Sequence, residues 1–171
     1  MSTAVAGGWA WAYAGYLLWL GAGCLDFASH RRTDLPHTSG VAESSMHGLQ
    51  LLTLGAAVLV WLALAPGLGR SVVLLALVVA HAVAGYVDTR VAYGRRPIRP
   101  FEQHLHSVLD MAPWIALGMI LVHDGAAAWR GGLAWQPAPA AWWLAALAPA
   151  LLLCVLPWLA EYRAAWRARS A

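Results

Sequence analysis

From Val72 to Ala80 no polar side chain interrupts the chain, and apolar stretches of this kind recur five times along it. A helix needs about twenty mostly apolar residues to cross a hydrocarbon core roughly 30 Å thick. Within lipid every backbone N–H and C=O must find its partner inside the structure, which leaves helices or closed barrels. Barrel strands alternate apolar and polar side chains over about ten positions, and the runs here do not alternate. Spans are expected near 9–29, 43–65, 70–92, 101–123 and 139–160. The expected fold is therefore all-α, a polytopic transmembrane bundle of about five helices in a single membrane domain, 1–171. With 61% hydrophobic and only 11% charged residues, against roughly a quarter charged in soluble domains, the composition leaves no room for a soluble domain.

All eleven basic residues are arginine, and their placement predicts orientation by the positive-inside rule. Arg31 and Arg32 follow the first span. Arg90, Arg95, Arg96 and Arg99 lie between the third and fourth, and Arg163, Arg167 and Arg169 follow the fifth. Only Arg70 and Arg130 fall on the other side. The expectation is a multi-pass protein of a bacterial-type inner (cytoplasmic) membrane, with the N-terminus outside and the C-terminus cytoplasmic. The first apolar segment lacks the positive leader of a secretion signal and is expected to be retained. Arginines flanking a membrane meet anionic head groups there, so the net charge of +3 calls for no nucleic-acid partner. Cys24 and Cys154 have no paired spacing and are expected to be packing residues.

Five of the eight acids, Asp26, Glu43, Asp88, Glu102 and Asp110, fall inside or at the edge of a predicted span. A charge at the bilayer centre costs at least about 2.5–3.5 kcal/mol on insertion scales, so such residues pair, face a cavity or bind something. Histidines accompany them at helical spacing: Asp26 with His30, Glu43 with His47, Glu102 with His106, and His106 with Asp110 are each four apart. Each pair shares one helix face. His81 and Asp88 are seven apart, two turns along the third helix. Because the first and third helices end, and the second and fourth begin, on the same side, these groups are expected to meet in one polar pocket. At 1.5 Å per residue His47 and His106 lie about one turn inside it, and His81 and Asp110 about 12 Å in.

Inward-facing Glu, Asp and His from four helices are what a two-metal site in a bundle core requires. Asp26, His30, Glu43, His47, His81, Asp88, Glu102, His106 and Asp110 are the candidate metal ligands, and Glu43 and Glu102 the candidate catalytic carboxylates. The acids can also serve as acceptors that orient imidazoles. Imidazole with carboxylate suits iron, zinc or manganese, and the lack of clustered thiols argues against iron–sulfur and copper–thiolate sites. Two metal ions are expected, iron ahead of zinc or manganese. A single Asp-x-x-x-His pair is more often a buried hydrogen-bonded pair than a ligand set; the convergence of four reverses that. His37 and His123 are expected to be solvated or interfacial, and His104 points to another face of the fourth helix. The fifth helix, with no central ionisable residue, is expected to be scaffold. The arginines are expected to serve topology first, although those ringing the pocket mouth could also hold an anionic head group.

In kind, these residues resemble the integral-membrane di-iron enzymes that hydroxylate or desaturate lipids, whose histidine clusters also face the cytoplasm. The resemblance is architectural. The boxes His-x-x-x-His and His-x-x-His-His do not occur; the nearest run, Glu102-Gln-His-Leu-His106, begins with glutamate, so no residue role is carried over. The ligand chemistry is also similar to ferritin-like bundles, without their Glu-x-x-His spacing. The resemblance implies an oxidoreductase acting beside an acyl chain or other apolar, lipid-like substrate that enters from the membrane lipid. Three other classes fit the same residues: a zinc-dependent membrane hydrolase in which Glu43 acts as general base, a b-type cytochrome, and a non-enzymatic metal or proton carrier.

Overall fold

A computed structural model describes residues 3–169 and shows a bundle of five long helices with no strand among those residues. They are α1 (Thr3–Arg32), α2 (Gly40–Ala63), α3 (Leu68–Ala92), α4 (Pro100–Asp124) and α5 (Ala140–Arg169). Four of them, α2 to α5, are long and apolar enough to cross a membrane. The expected elements are present, with α5 continuing to Arg169 rather than stopping at 160.

The ends of the helices follow local chemistry. Pro100 occupies the first helical position of α4, where its missing N–H costs no hydrogen bond, and Arg99 before it is extended. At the end of α3 the chain turns through Gly94 with φ +75°, a left-handed conformation that suits glycine just past a helix end. That turn folds the following segment back beneath the bundle and buries Arg96. Within α5, Pro149 precedes a five-residue π turn, Leu151–Val155. A proline removes one helix hydrogen bond, and π turns inside α-helices re-aim the side chains that follow.

α2 and α3 form a tight antiparallel hairpin, α4 packs between α3 and α1, and α5 closes the ring against α1 and α2. Leu74, Val78 and Leu117 form a buried apolar cluster between α3 and α4, with Ala57, Val60 and Trp61 of α2 against it. Close approach of α5 to α2 depends on Gly48, where an added Cβ would stand 2.6 Å from the Trp158 ring. The Trp158 indole N–H donates to the Ser44 carbonyl at 2.8 Å.

The two ends differ. At the arginine-poor end, 125–139 is tied across the α2–α3 turn: Ala65 N–H donates to Ala134 O at 2.9 Å, Ala138 N–H to Leu62 O at 2.7 Å and Leu68 N–H to Arg130 O at 2.9 Å. Beneath it Arg70 is buried and ion-paired with Asp124. Trp129 and Trp135 are exposed on this segment. The arginine-rich end holds the polar cluster.

Candidate metal centre

Every helix contributes to the cluster. α1 supplies Asp26 and His30 from its last turns, α2 Glu43 and His47 from its first, α3 Asp88, α4 Glu102 and His106, and α5 Glu161. The segment between α3 and α4 adds Arg96. His30, Glu43 and Glu102 are fully buried, and Asp26, His47, Asp88, Arg96 and Glu161 nearly so.

Glu161 sets the orientation of two imidazoles. Its carboxylate accepts a hydrogen bond from His30 Nδ1 at 2.8 Å on one oxygen and from His47 Nδ1 at 2.7 Å on the other. The two rings stack in parallel, 4.6 Å apart with 8° between their planes, and Phe27 packs edge-on against both. With Nδ1 committed as donor, a neutral imidazole presents a lone pair at Nε2. A carboxylate behind a histidine in this way is the usual support of a metal-ligating imidazole.

The Nε2 atoms meet carboxylates at the opposite ends of the rings. His30 Nε2 lies 3.3 Å from Asp26 Oδ2 and 3.5 Å from Glu102 Oε1. His106 Nε2 lies 3.3 Å from Asp26 Oδ1 and 3.9 Å from Glu102 Oε1. His47 Nε2 lies 3.3 Å from Asp88 Oδ2 and 3.9 Å from Glu43 Oε1. All three Nε2 atoms, and also Asp26 Oδ1, Asp88 Oδ1 and Glu102 Oε2, are buried without a hydrogen bond. Ligand atoms about 2.1 Å from one ion, at angles between square and tetrahedral, stand about 3.0–3.4 Å from one another. The observed separations begin in that range, longer than good hydrogen bonds. Two overlapping groups bring their ligand atoms within 4.8 Å: Asp26, His30, Glu102 and His106, and His30, Glu43 and His47.

Arg96 lies across the two groups. Its Nε donates to both Glu43 oxygens at 3.0 Å, Nη2 contacts Glu43 and Glu102, and Nη1 donates to Thr33 Oγ1 at 3.2 Å. Burial alone would lower the guanidinium pKa, but the hydrogen bonds and charges of Glu43 and Glu102 outweigh it and push it up. Counted as ionised, Asp26, Glu43, Asp88, Glu102 and Glu161 face one guanidinium, so four negative charges remain unbalanced when the histidines are neutral. Protonation of the histidines or bound cations would offset that charge.

The cluster forms the polar end of a cavity of about 690 Å³ that runs into the bundle. Asp26, His47, Asp88 and His106 line its near end; Trp19, Leu54, Val58, Trp143, Leu147 and Leu151 line the remainder. Buried ligand chambers of this size, mostly apolar with a few placed polar groups, take small molecules or chains.

Seven of the nine sequence-predicted ligands thus come together: Asp26, His30, Glu43, His47, Asp88, Glu102 and His106. His81 and Asp110 stand outside both ligand groups and line the cavity further in. His104 is exposed, and His37 pairs with Asp34 at the surface at 2.6 Å. Two cluster members were missed. Glu161 lies one residue beyond the expected end of the fifth span, yet that span ends on the same side as the other acids, and Glu161 is its only one. Arg96 reads as one of the topology arginines, from which nothing in its own sequence position separates it. The fifth helix is consequently part of the centre rather than scaffold alone, and Arg96 is buried within it, while Arg31, Arg32, Arg90, Arg95 and Arg99 remain exposed.

No family model matches the chain, and neither a curated protein nor a solved structure matches it.

Proposed function

We propose that this is a multi-pass inner-membrane protein, N-terminus outside and C-terminus cytoplasmic, whose buried centre holds two metal ions, iron ahead of zinc or manganese. It acts as an oxidoreductase of hydroxylase or desaturase type on a lipid or other apolar substrate at the cytoplasmic side. The observation that carries this reading is the set of three buried, hydrogen-bond-free imidazole nitrogens converging on carboxylates at chelating distance, two of them backed by one glutamate. Asp26, His30, Glu102 and His106 would hold one ion; His47, Glu43 and Asp88 would hold the other beside the stacked His30 ring. Bound iron supplies the activation of oxygen that a C–H bond in an apolar chain demands.

The chain's own residues account for the rest. Glu161 fixes the tautomer of His30 and His47. Arg96 offsets part of the carboxylate charge and anchors Glu43 and Glu102, the two catalytic candidates. Glu102 keeps one oxygen, Oε2, free of hydrogen bonds, in position to hold or move a proton. The apolar cavity walls exclude water and receive the chain.

The zinc hydrolase is the second reading: Arg96 binds both Glu43 oxygens, so the free Glu102 oxygen, rather than Glu43, suits a general base beside a metal-bound water. A haem held between His30 and His47 does not fit: the two rings stack face to face at 4.6 Å, which leaves no space for a macrocycle between them. Elemental analysis of aerobically purified protein tests the proposal. About two irons per chain with oxygen consumption on addition of membrane lipid are expected; retained zinc without oxygen dependence selects the hydrolase, and the absence of any metal removes both.

A further inference from the structure

The cavity carries a second set of polar groups that the metal centre does not use. Gln50 lies three residues beyond His47, Asp110 four beyond His106, and His81 seven before Asp88. At 1.5 Å per residue they stand roughly 5–10 Å further along the cavity than the ligands. All three line its wall.

Their geometry converges on Gly85. A Cβ there would stand 3.1 Å from Asp110 Oδ1 and 3.6 Å from Gln50 Oε1, so the missing side chain lets a carboxylate and an amide oxygen draw close together over the Gly85 backbone, at one polar recess of the cavity wall. Gln50 is fixed by its amide group, which donates to Asp88 Oδ2 at 3.3 Å. That bond links the recess to the metal centre. His81 is 3% exposed, and neither ring nitrogen forms a hydrogen bond; the Leu109 and Gln50 backbones come near it but outside bonding geometry. Asp110 on α4 and Thr89 on α3 line the cavity and are both exposed, which makes the α3–α4 side the candidate opening of the chamber.

Resting on the reading of the cavity as a substrate chamber, we propose that Gln50, His81 and Asp110 hold a neutral hydroxyl group on an otherwise apolar chain. The chain enters from the bilayer between α3 and α4. The recess is rich in acceptors, so its ligand must donate. A hydroxyl donates to Asp110 or Gln50 Oε1 and accepts from a His81 N–H in the same position. A carboxylate would oppose the charge of Asp110. A plain alkyl chain would leave buried polar groups unpaired, which is how sites built for a hydroxyl discriminate. The reacting carbon at the metal centre then lies a few bonds along the chain from that hydroxyl.

The test is equilibrium binding of four radiolabelled probes to the detergent-purified full chain: a secondary long-chain alcohol and the matching alkane, amine and carboxylate. The alcohol is expected to bind at least about tenfold more tightly than the other three, about what one net hydrogen bond contributes. In His81→Leu with Asp110→Leu the preference is expected to vanish while alkane binding rises, a gain that a damaged fold would not give. Gly85→Val, whose side chain would push the Asp110 and Gln50 oxygens apart, is expected to abolish alcohol binding. Equal binding of alcohol and alkane by the natural chain, or tightest binding of the amine, would overturn the proposal. Metal is counted in the same samples: a two-metal protein without the preference refutes the hydroxyl site alone, and the preference without metal refutes only the metal centre.

Discussion

Two arginines are buried at opposite ends of this bundle, and they sit in different electrostatic circumstances. Arg70 meets one carboxylate, Asp124, and donates through Nη1 to the Leu64 carbonyl at 2.8 Å. One positive charge faces one negative charge, and the pair ties the loop at 125–139 to the α3 start. Arg96 meets two carboxylates, Glu43 and Glu102, within a group that also holds Asp26, Asp88 and Glu161. Among the buried side-chain atoms of the described residues, Arg70 Nε alone lacks a hydrogen bond at its end, whereas around Arg96 orphaned atoms come from Asp26, His30, His47, Asp88, Glu102 and His106. A buried pair at charge balance is architecture. A buried group with an excess of carboxylates, its hydrogen-bond-free atoms aimed at one another, is what the metal-centre proposal rests on, because an uncompensated buried charge is among the costliest features a fold can carry.

The comparison breaks most visibly at the imidazoles. His47→Ala or His30→Ala is expected to remove most of the bound metal, read by elemental analysis, while leaving the far end intact. Arg70→Ala is expected to lose metal only in proportion to unfolding: it leaves Asp124 buried and unpaired, at a cost of about 3–5 kcal/mol in chemical denaturation. Replacing both partners, Arg70→Met with Asp124→Leu, is expected to recover most of that stability with unchanged metal content. Retention of full metal by His47→Ala, or its loss in the apolar double variant, would erase the distinction between the two ends.

A smaller effect sharpens the role of α5. Glu161→Gln keeps the side-chain shape but weakens the anchor on His30 and His47, and metal affinity is expected to fall about 10–100-fold, the usual consequence of losing such a support. Competition with a chelator of known affinity measures it. The smallest effect is expected at Gly48→Ala. The added methyl would meet the Trp158 ring and move α5 away from α2, at about 1–3 kcal/mol of stability for overpacking, with a modest loss of metal affinity because Glu161 rides on the same helix.

Much of this is written in local patterns. The helices are legible because apolar runs near the membrane thickness admit one backbone solution, and the level of the cluster follows from i, i+4 pairs placed at helix ends that alternate in direction. Depth arithmetic along the helices also puts His81 and Asp110 further in than His47 and His106, although residue type alone makes all four candidate ligands. What the pattern conceals is tertiary. Arg96 reaches the cluster only because the chain reverses at Gly94, and one arginine among six looks like its neighbours. Glu161 reaches it through a helix that passes a proline and a π turn before continuing past its expected end. Neither the continuation nor the rotation has a sequence period to reveal it.

The most direct measurement is an anomalous-scattering map from crystals of the full chain grown with manganese or iron. Two peaks are expected, one among Asp26, His30, Glu102 and His106 and one beside His47 and Glu43, each with nitrogen and oxygen neighbours about 2.0–2.2 Å away and none near Arg70 and Asp124. A map without a peak at the arginine-rich end, with His30, His47 and His106 hydrogen-bonded to the carboxylates through protons of their own, would contradict the account.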